Sequence, residues 1–301
     1  MAHGETKIVL PLSRPLVAGS RPAREVLALP DGYRTDAYVY SPAGGPRRLP
    51  VLYLHGIQSH PGWFSGSAAA LAQAGHAVFQ VTRRGSGANR RDRGHADSAG
   101  QLLDDVAAAG RFVLAKTGAE RLHLLGVSWG GKLAAALAAR SPARLELASV
   151  TLVAPGICPR VDVLVRTKVR VAMSVLLSPR RLFDIPLNDE ALFTDNEAMR
   201  QYLRADAFRL HRATGRFLYV SRCLDRLLAR ARPGALTMPT TLLLAARDQI
   251  IDNAATRRVV DGLTAHRAAV HTLDAAHTME FEPDPEPLYE CLRAAVGRGQ
   301  R

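Results

Sequence analysis

The sequence predicts an α/β chain: a mostly parallel central sheet with helices on both faces and an inserted helical cap. Three observations predict it. Near-continuous apolar runs of four to six residues alternate with helical segments, the order of a parallel sheet with crossover helices. The runs do not alternate strictly between apolar and polar, which suits strands covered on both faces. Between Val153 and Thr241 the strand rhythm stops and helical periodicity takes over.

The elements follow in chain order. Arg24–Leu29 and Thr35–Tyr40 flank Asp31-Gly32, a hairpin turn signal, and predict an antiparallel edge to the sheet. Buried strands are predicted at Val51–Leu54, Ala77–Val81, Leu122–Leu125, Ser149–Val153, Thr241–Ala246 and Ala268–Leu273. Helices fit between them. Ser67–Ala74 stops at Gly75, a residue suited to a helix C-terminus. Gln101–Lys116 carries Leu102, Val106, Ala109 and Val113 on one face. Lys132–Arg140 stops before Pro142, and a last helix runs from about Pro285 to Val296.

The predicted core is residues 1–155 and 236–301, with residues 156–235 as the cap. In the cap, Val161–Leu177 puts apolar side chains on one stripe, with Asp162, Arg166, Arg170 and Ser174 on the other at intervals of four. Asn196–Leu228 also reads as helical, broken at Gly215. A cap inserted there would cover the carboxyl ends of the strands, where open α/β sheets bind ligands.

Composition narrows the class. A hydrophobic content of 47% over 301 residues is enough for one large core. The N-terminal Met1–Lys7 is not followed by a signal-peptide apolar run, and Val161–Leu177 holds too many charges to span a bilayer. A cytoplasmic location is therefore expected. Cys158, Cys223 and Cys291 are widely spaced and in no metal-ligand pattern, so they read as free thiols. The net charge of +13 is mostly arginine in short clusters, and aromatic residues make up only 6%. Without stacking residues interleaved among the charges, no nucleic-acid partner is expected.

The sharpest motif is Gly126-Val127-Ser128-Trp129-Gly130-Gly131, placed between a predicted strand and a predicted helix. A corner tight enough to expose a serine hydroxyl needs small residues two before and two after it. The helix beyond points free amides at the site and favours negative charge there. A serine hydroxyl needs a base, and the base needs a carboxylate to hold its tautomer. In chain order these fall to Asp248 and His277, each just after a predicted strand. Among the rivals, Asp252 reads as the cap of a helix starting near Asn253, and Asp274 as a surface turn residue. His95, His123, His211, His266 and His271 stand in no motif. The oxyanion donors are expected at the backbone N–H groups of Trp129 and Ile57, the latter in the loop His55-Gly56-Ile57-Gln58-Ser59-His60. His55, Gly56, Gly126 and Gly130 are the expected supporting residues. No cofactor or metal is implied: Gly85-Ser86-Gly87 lacks the third glycine and the helix that a dinucleotide would need.

Together His55-Gly56-x-x-Ser59-His60, Arg83-Arg84-Gly85-Ser86-Gly87, Gly126-x-Ser128-x-Gly130, Asp248 and His277-Thr278 resemble a known family. It is the monoacylglycerol lipase and lysophospholipase-like (serine aminopeptidase-like hydrolase) branch of the α/β-hydrolase superfamily. Phe183–Leu187 and Leu192–Asp195 in the cap are similar to that branch too, so the resemblance spans roughly residues 25–290. It implies the α/β-hydrolase fold and carboxylic-ester chemistry. Thr82 departs from it, standing where the branch commonly has an aspartate.

Three functions follow as expectations. The first is hydrolysis of a monoacylglycerol, lysophospholipid or similar acyl ester. Leu164, Val165, Met173, Leu176 and Leu177 would line an acyl tunnel, and Arg166, Lys168 and Arg170 would offer a weak contact to an anionic membrane surface. The second is a peptidase or amidase, with Glu190 or Asp195 receiving a substrate amine. The third, a non-catalytic scaffold, runs against the presence of serine, acid and histidine together.

Overall fold

The structure, a computed structural model, describes residues 10–16, 21–140 and 145–298. Pro142 and the N-terminal Met1–Lys7 lie outside the described residues. The central sheet is built from β1 (Ala23–Ala28), β2 (Arg34–Tyr40), β3 (Arg48–Leu54), β4 (His76–Val81), β5 (Leu122–Val127), β6 (Leu147–Val153), β9 (Thr240–Ala245) and β10 (Ala269–Leu273). Its order is β1-β2-β4-β3-β5-β6-β9-β10. β1 pairs antiparallel with β2, and β2 antiparallel with β4, while every pairing from β4 to β10 is parallel.

β4, β5 and β9 are buried along their whole length, as their near-continuous apolar runs suggest. The crossovers are α1 (Ser65–Gln73), α2 (Ala99–Thr117), α3 (Trp129–Arg140) and α7 (Asn253–Thr264), and α8 (Glu286–Gly297) follows the last strand. α2 shows how local chemistry sets the ends. The Ser98 side chain accepts the Gln101 amide at 3.0 Å, and Gly118 closes the helix in the left-handed conformation at φ 68°. The strand order reverses across β4-β3-β5, and this topological switch point brings the loops after β3 and β5 together at one end of the sheet.

Between β6 and β9 lie α4 (Val165–Leu177), β7 (Leu182–Asp184), α5 (Glu197–Ala205), β8 (Arg212–Thr214) and α6 (Gly215–Ala229). Two expectations are corrected here. Asn196–Leu228 is not helical up to Gly215: α5 stops at Ala205, and β8 pairs antiparallel with β7 before α6 begins. Asp206 ends the helix because its carboxylate turns back on its own loop and accepts the Phe208 amide at 2.9 Å.

The orientation of α4 is the second correction. Ser174, expected on the polar stripe, is the buried residue of the helix, whereas Leu164, Val165, Met173, Leu176 and Leu177 are 55–85% exposed. Small side chains explain the reversal. The Ser174 hydroxyl is satisfied within the helix by the Val171 carbonyl at 2.8 Å, and a Cβ on Gly215 would stand 2.0 Å from it. α4 therefore seats its serine on the start of α6 and turns its large apolar residues outward. They line no tunnel in this conformation.

Candidate active site

The corner after β5 carries Ser128 at φ 53°, a strained value for a residue with a side chain. Its backbone is pinned on both sides. The amide donates to the Val153 carbonyl at 2.9 Å, and the carbonyl accepts from Gly131 and Gly156 at 2.9 and 2.7 Å. Gly126 and Gly130 make the corner possible. A Cβ on Gly126 would meet the Gly130 carbonyl oxygen at 2.5 Å, and one on Gly130 would meet the Leu54 and His55 carbonyl oxygens at 2.5 Å each. These are backbone atoms that cannot move aside, so only glycine fits.

Three side chains meet above this corner. The Ser128 hydroxyl lies 3.0 Å from His277 Nε2, and His277 Nδ1 lies 2.8 Å from Asp248 Oδ2. Asp248 Oδ1 accepts the Ile250 and Ile251 amides at 2.8 and 2.9 Å. Burial works against the charge of Asp248, but His277 and these amides outweigh it and hold the carboxyl below the usual carboxylate range. An ionised Asp248 can only accept, so Nδ1 carries the imidazole proton and Nε2 is left to receive the serine proton.

The loop after β3 faces the same hydroxyl. A buried His55 holds it: Nε2 accepts the Arg83 amide at 3.0 Å, so Nδ1 must donate, and it does so to the Gly56 carbonyl at 2.9 Å. That carbonyl belongs to the same peptide as the Ile57 N–H, so His55 sets the direction in which the amide points. Burial, with Arg83 beside it, keeps the His55 pKa well below the ordinary value and preserves this neutral tautomer. The second amide belongs to Trp129, the first residue of α3, which has no acceptor within its own helix. Serine, imidazole and carboxylate thus meet in the order that acyl transfer uses.

Residues 45–284 match the family described as serine aminopeptidase, S33. The chain belongs to this family of hydrolases. Its fold is that of the α/β-hydrolases. The monoacylglycerol lipase of Paleococcus ferrophilus superposes with a TM-score of 0.76 at 19% identity, covering 88% of this chain and 99% of that one. A soluble variant of monoglyceride lipase from Saccharomyces cerevisiae, in complex with a substrate analog, gives 0.81 at 16% identity over 95% and 98% of the two chains. A Variovorax paradoxus (strain S110) protein with the provisional name carbamate hydrolase RutD is 27% identical over 232 residues, 75% of this chain and 82% of that one.

In this S33 chain the expected rivals take other roles. Asp252 caps α7 by accepting the Ala255 amide at 2.9 Å, and Asp274 is exposed and paired with Arg247. His123 bonds Ser149 at 2.8 Å, and His95 bonds Thr214 at 2.9 Å. His211 lies in the loop before β8, His266 follows α7 at φ 60°, and His271 is in β10 beside Arg298. None of the five touches Ser128. The loop that begins at Thr82 is anchored without an aspartate there. Arg84 forks onto Asp105 at 2.6 and 2.7 Å and onto Asp31 at 2.9 and 3.1 Å.

Further residues build the site, and of these Arg209 and Asp206 stood in no motif. Phe193 comes down from the cap with its ring edge-on to His277, centroids 6.2 Å apart, and its carbonyl accepts the Thr278 amide at 2.9 Å. Arg209 is fully buried and binds Glu190 at 2.7 Å, Gln58 Oε1 at 3.0 Å and the Leu187 carbonyl at 2.7 Å. Asp206 gathers His60 at 3.0 Å and the Trp63 indole N–H at 2.7 Å. Beside Ser128 a cavity of about 10 Å³ is lined by Ile57, Gln58, Ser59, Trp63, Phe193 and Thr278. Gln58 Nε2 and Ser59 Oγ are enclosed there without a hydrogen-bond partner among the described residues. A larger cavity of about 30 Å³, between α2 and β3–β4, does not include Ser128.

Proposed function

We propose that the chain is a serine esterase that cleaves a carboxylic ester through an acyl-enzyme on Ser128. The observation that carries this is the unbroken relay from Ser128 through His277 to Asp248; the Ile57 and Trp129 amides are the proposed oxyanion donors. In the first step the Ser128 oxygen attacks the ester carbonyl carbon and His277 Nε2 takes the hydroxyl proton. The carbonyl pair moves onto oxygen, held by the two amides. Collapse expels the alcohol, which receives the proton back from His277. Water then repeats the sequence on the acyl-enzyme.

The substrate is proposed as a monoacylglycerol, lysophospholipid or similar acyl ester. The unpartnered Gln58 and Ser59 groups beside Ser128 suit hydroxyls of a polar leaving alcohol. With room there for about one water molecule, the cap has to move for such a substrate to enter. An anionic membrane surface is proposed as a weak partner of α4. Leu164, Val165, Leu176 and Leu177 project from it beside Arg166, Lys168 and Arg170, the mixture that binds anionic lipid interfaces. Sedimentation with anionic against neutral vesicles tests this, and equal binding to both would refute it.

Ester chemistry is preferred to peptidase chemistry because the two cap acids are already engaged. Glu190 is held by Arg209 at 2.7 Å, and Asp195 by Arg247 at 3.2 Å and Arg200 at 3.7 Å. Neither offers a free carboxylate to a substrate amine. The test is hydrolysis of p-nitrophenyl esters of increasing acyl length against aminoacyl-arylamides. Faster turnover of esters is expected, and a preference for arylamides would replace this reading with the peptidase one.

A further inference from the structure

Among the described residues, Arg83 is a cation without a carboxylate partner. Its guanidinium donates from Nη2 to the Ile57 carbonyl at 2.9 Å and from Nη1 to the Arg84 carbonyl at 3.3 Å. It lies against two rings that pack on each other at 5.2 Å, 4.9 Å from the centroid of Trp129 and 5.0 Å from that of Phe217 on α6. Its Nε is enclosed and has no hydrogen-bond partner among the described residues. The nearby acids Asp31 and Asp105 are both taken by Arg84. Burial without a counter-charge pushes the Arg83 pKa down to about 9. Leaving a charge enclosed and unpaired is costly, so its position calls for an explanation.

Two of the residues that Arg83 engages are the ones whose amides would receive the oxyanion: it bonds to Ile57 and stacks on Trp129. We propose that Arg83 is a positioning residue of the oxyanion hole, holding the Ile57 loop while its charge favours the anionic tetrahedral intermediate. It touches neither substrate nor serine. As Ser128 attacks, the carbonyl bond pair becomes a full negative charge on oxygen where none existed in the ground state. A nearby cation shielded from water lowers the energy of that state selectively. Phe217 belongs to the cap, so cap closure supplies one wall of this shielding.

The proposal rests on the assignment of Ser128 as nucleophile, and the experiment separates the two. The rate of fluorophosphonate labelling of Ser128 is measured for wild type, Arg83→Lys, Arg83→Gln and Arg83→Met, with melting temperatures taken in parallel. Phosphonylation builds the same negative charge, and Gln keeps a donor for Ile57 without the charge. Labelling of wild type at Ser128 is expected, with Gln and Met slowed by about tenfold to a hundredfold, less than loss of a direct oxyanion donor. Lys should recover at least about threefold over Gln, which a purely structural role would not produce. Met labelling within about twofold of wild type, or Lys no faster than Gln, overturns the proposal. Failure of wild type to label overturns the Ser128 assignment itself.

Discussion

The ion pair that ties the cap to the nucleophile helix should be asymmetric in its energetics. Lys132 on α3 is 5% exposed and lies 2.6 Å from Asp225 on α6, which is 17% exposed and also binds Arg222 at 3.0 Å. If Asp225 is removed, Lys132 keeps only Ser221 Oγ at 3.5 Å, and a buried ammonium is left nearly alone. Stranding a buried charge costs about 3–5 kcal/mol. The partial exposure of Asp225 puts Asp225→Ala at roughly 3 kcal/mol, the lower end of that range. If Lys132 is removed instead, Asp225 still has Arg222 and water. Lys132→Met fills a similar volume with apolar atoms and should cost about 1 kcal/mol or less.

Melting temperature followed by far-UV circular dichroism reads this directly, because about 1 kcal/mol moves it by roughly 2 °C in a chain of this size. Asp225→Ala should lower it by about 6 °C and Lys132→Met by no more than about 2 °C. The double variant should resemble Lys132→Met alone, since the stranded charge is gone. Equal losses for the two single variants, or a double variant that simply sums them, would refute the reasoning.

Other consequences follow from the same structure. Asp248→Asn removes the acceptor that selects the Nδ1 proton of His277, so kcat should fall about 10³- to 10⁴-fold with KM little changed, measured on a p-nitrophenyl ester. Gly130→Ala places a Cβ 2.5 Å from two carbonyl oxygens of the β3 loop. It should lose activity and cost at least about 2 kcal/mol of stability, checked by urea denaturation. Burial, with His76 and Arg121 nearby, lowers the His123 pKa to about 3. Its unfolded form takes up a proton near pH 6.5 while the folded form does not. Its contribution is thus fully present above that pH and is lost progressively as pH falls toward 3, by roughly 2 kcal/mol at pH 5. Melting temperatures at pH 7.5 and 5 should show the fall, and His123→Met should reduce it.

Much of this was legible in the sequence because the core obeys simple periodicities. The runs around Leu54, Val127 and Leu244 are apolar on both faces and became central strands. Ser128, Asp248 and His277 could be picked out because each follows such a run. The cap was less legible. β7 and β8 are three residues each, too short for a period of two to register. For α4, periodicity identified an apolar face but could not say whether it met protein or solvent. That was decided by the fit of Ser174 against Gly215, a contact between small residues with no hydrophobic signal. Nothing in the sequence marks Arg83, Lys132 and Arg209 as buried in an arginine-rich chain. Their partners, Phe217, Asp225 and Glu190, lie 134, 93 and 19 residues away in sequence, so only the folded chain brings them together.

The most direct test of the account is mass spectrometry of the acid-quenched enzyme during turnover of a p-nitrophenyl ester. An acyl adduct on the peptide containing Ser128 is expected in wild type, with both adduct and turnover lost in Ser128→Ala. Turnover that persists in Ser128→Ala, or an adduct on any other residue, would contradict it.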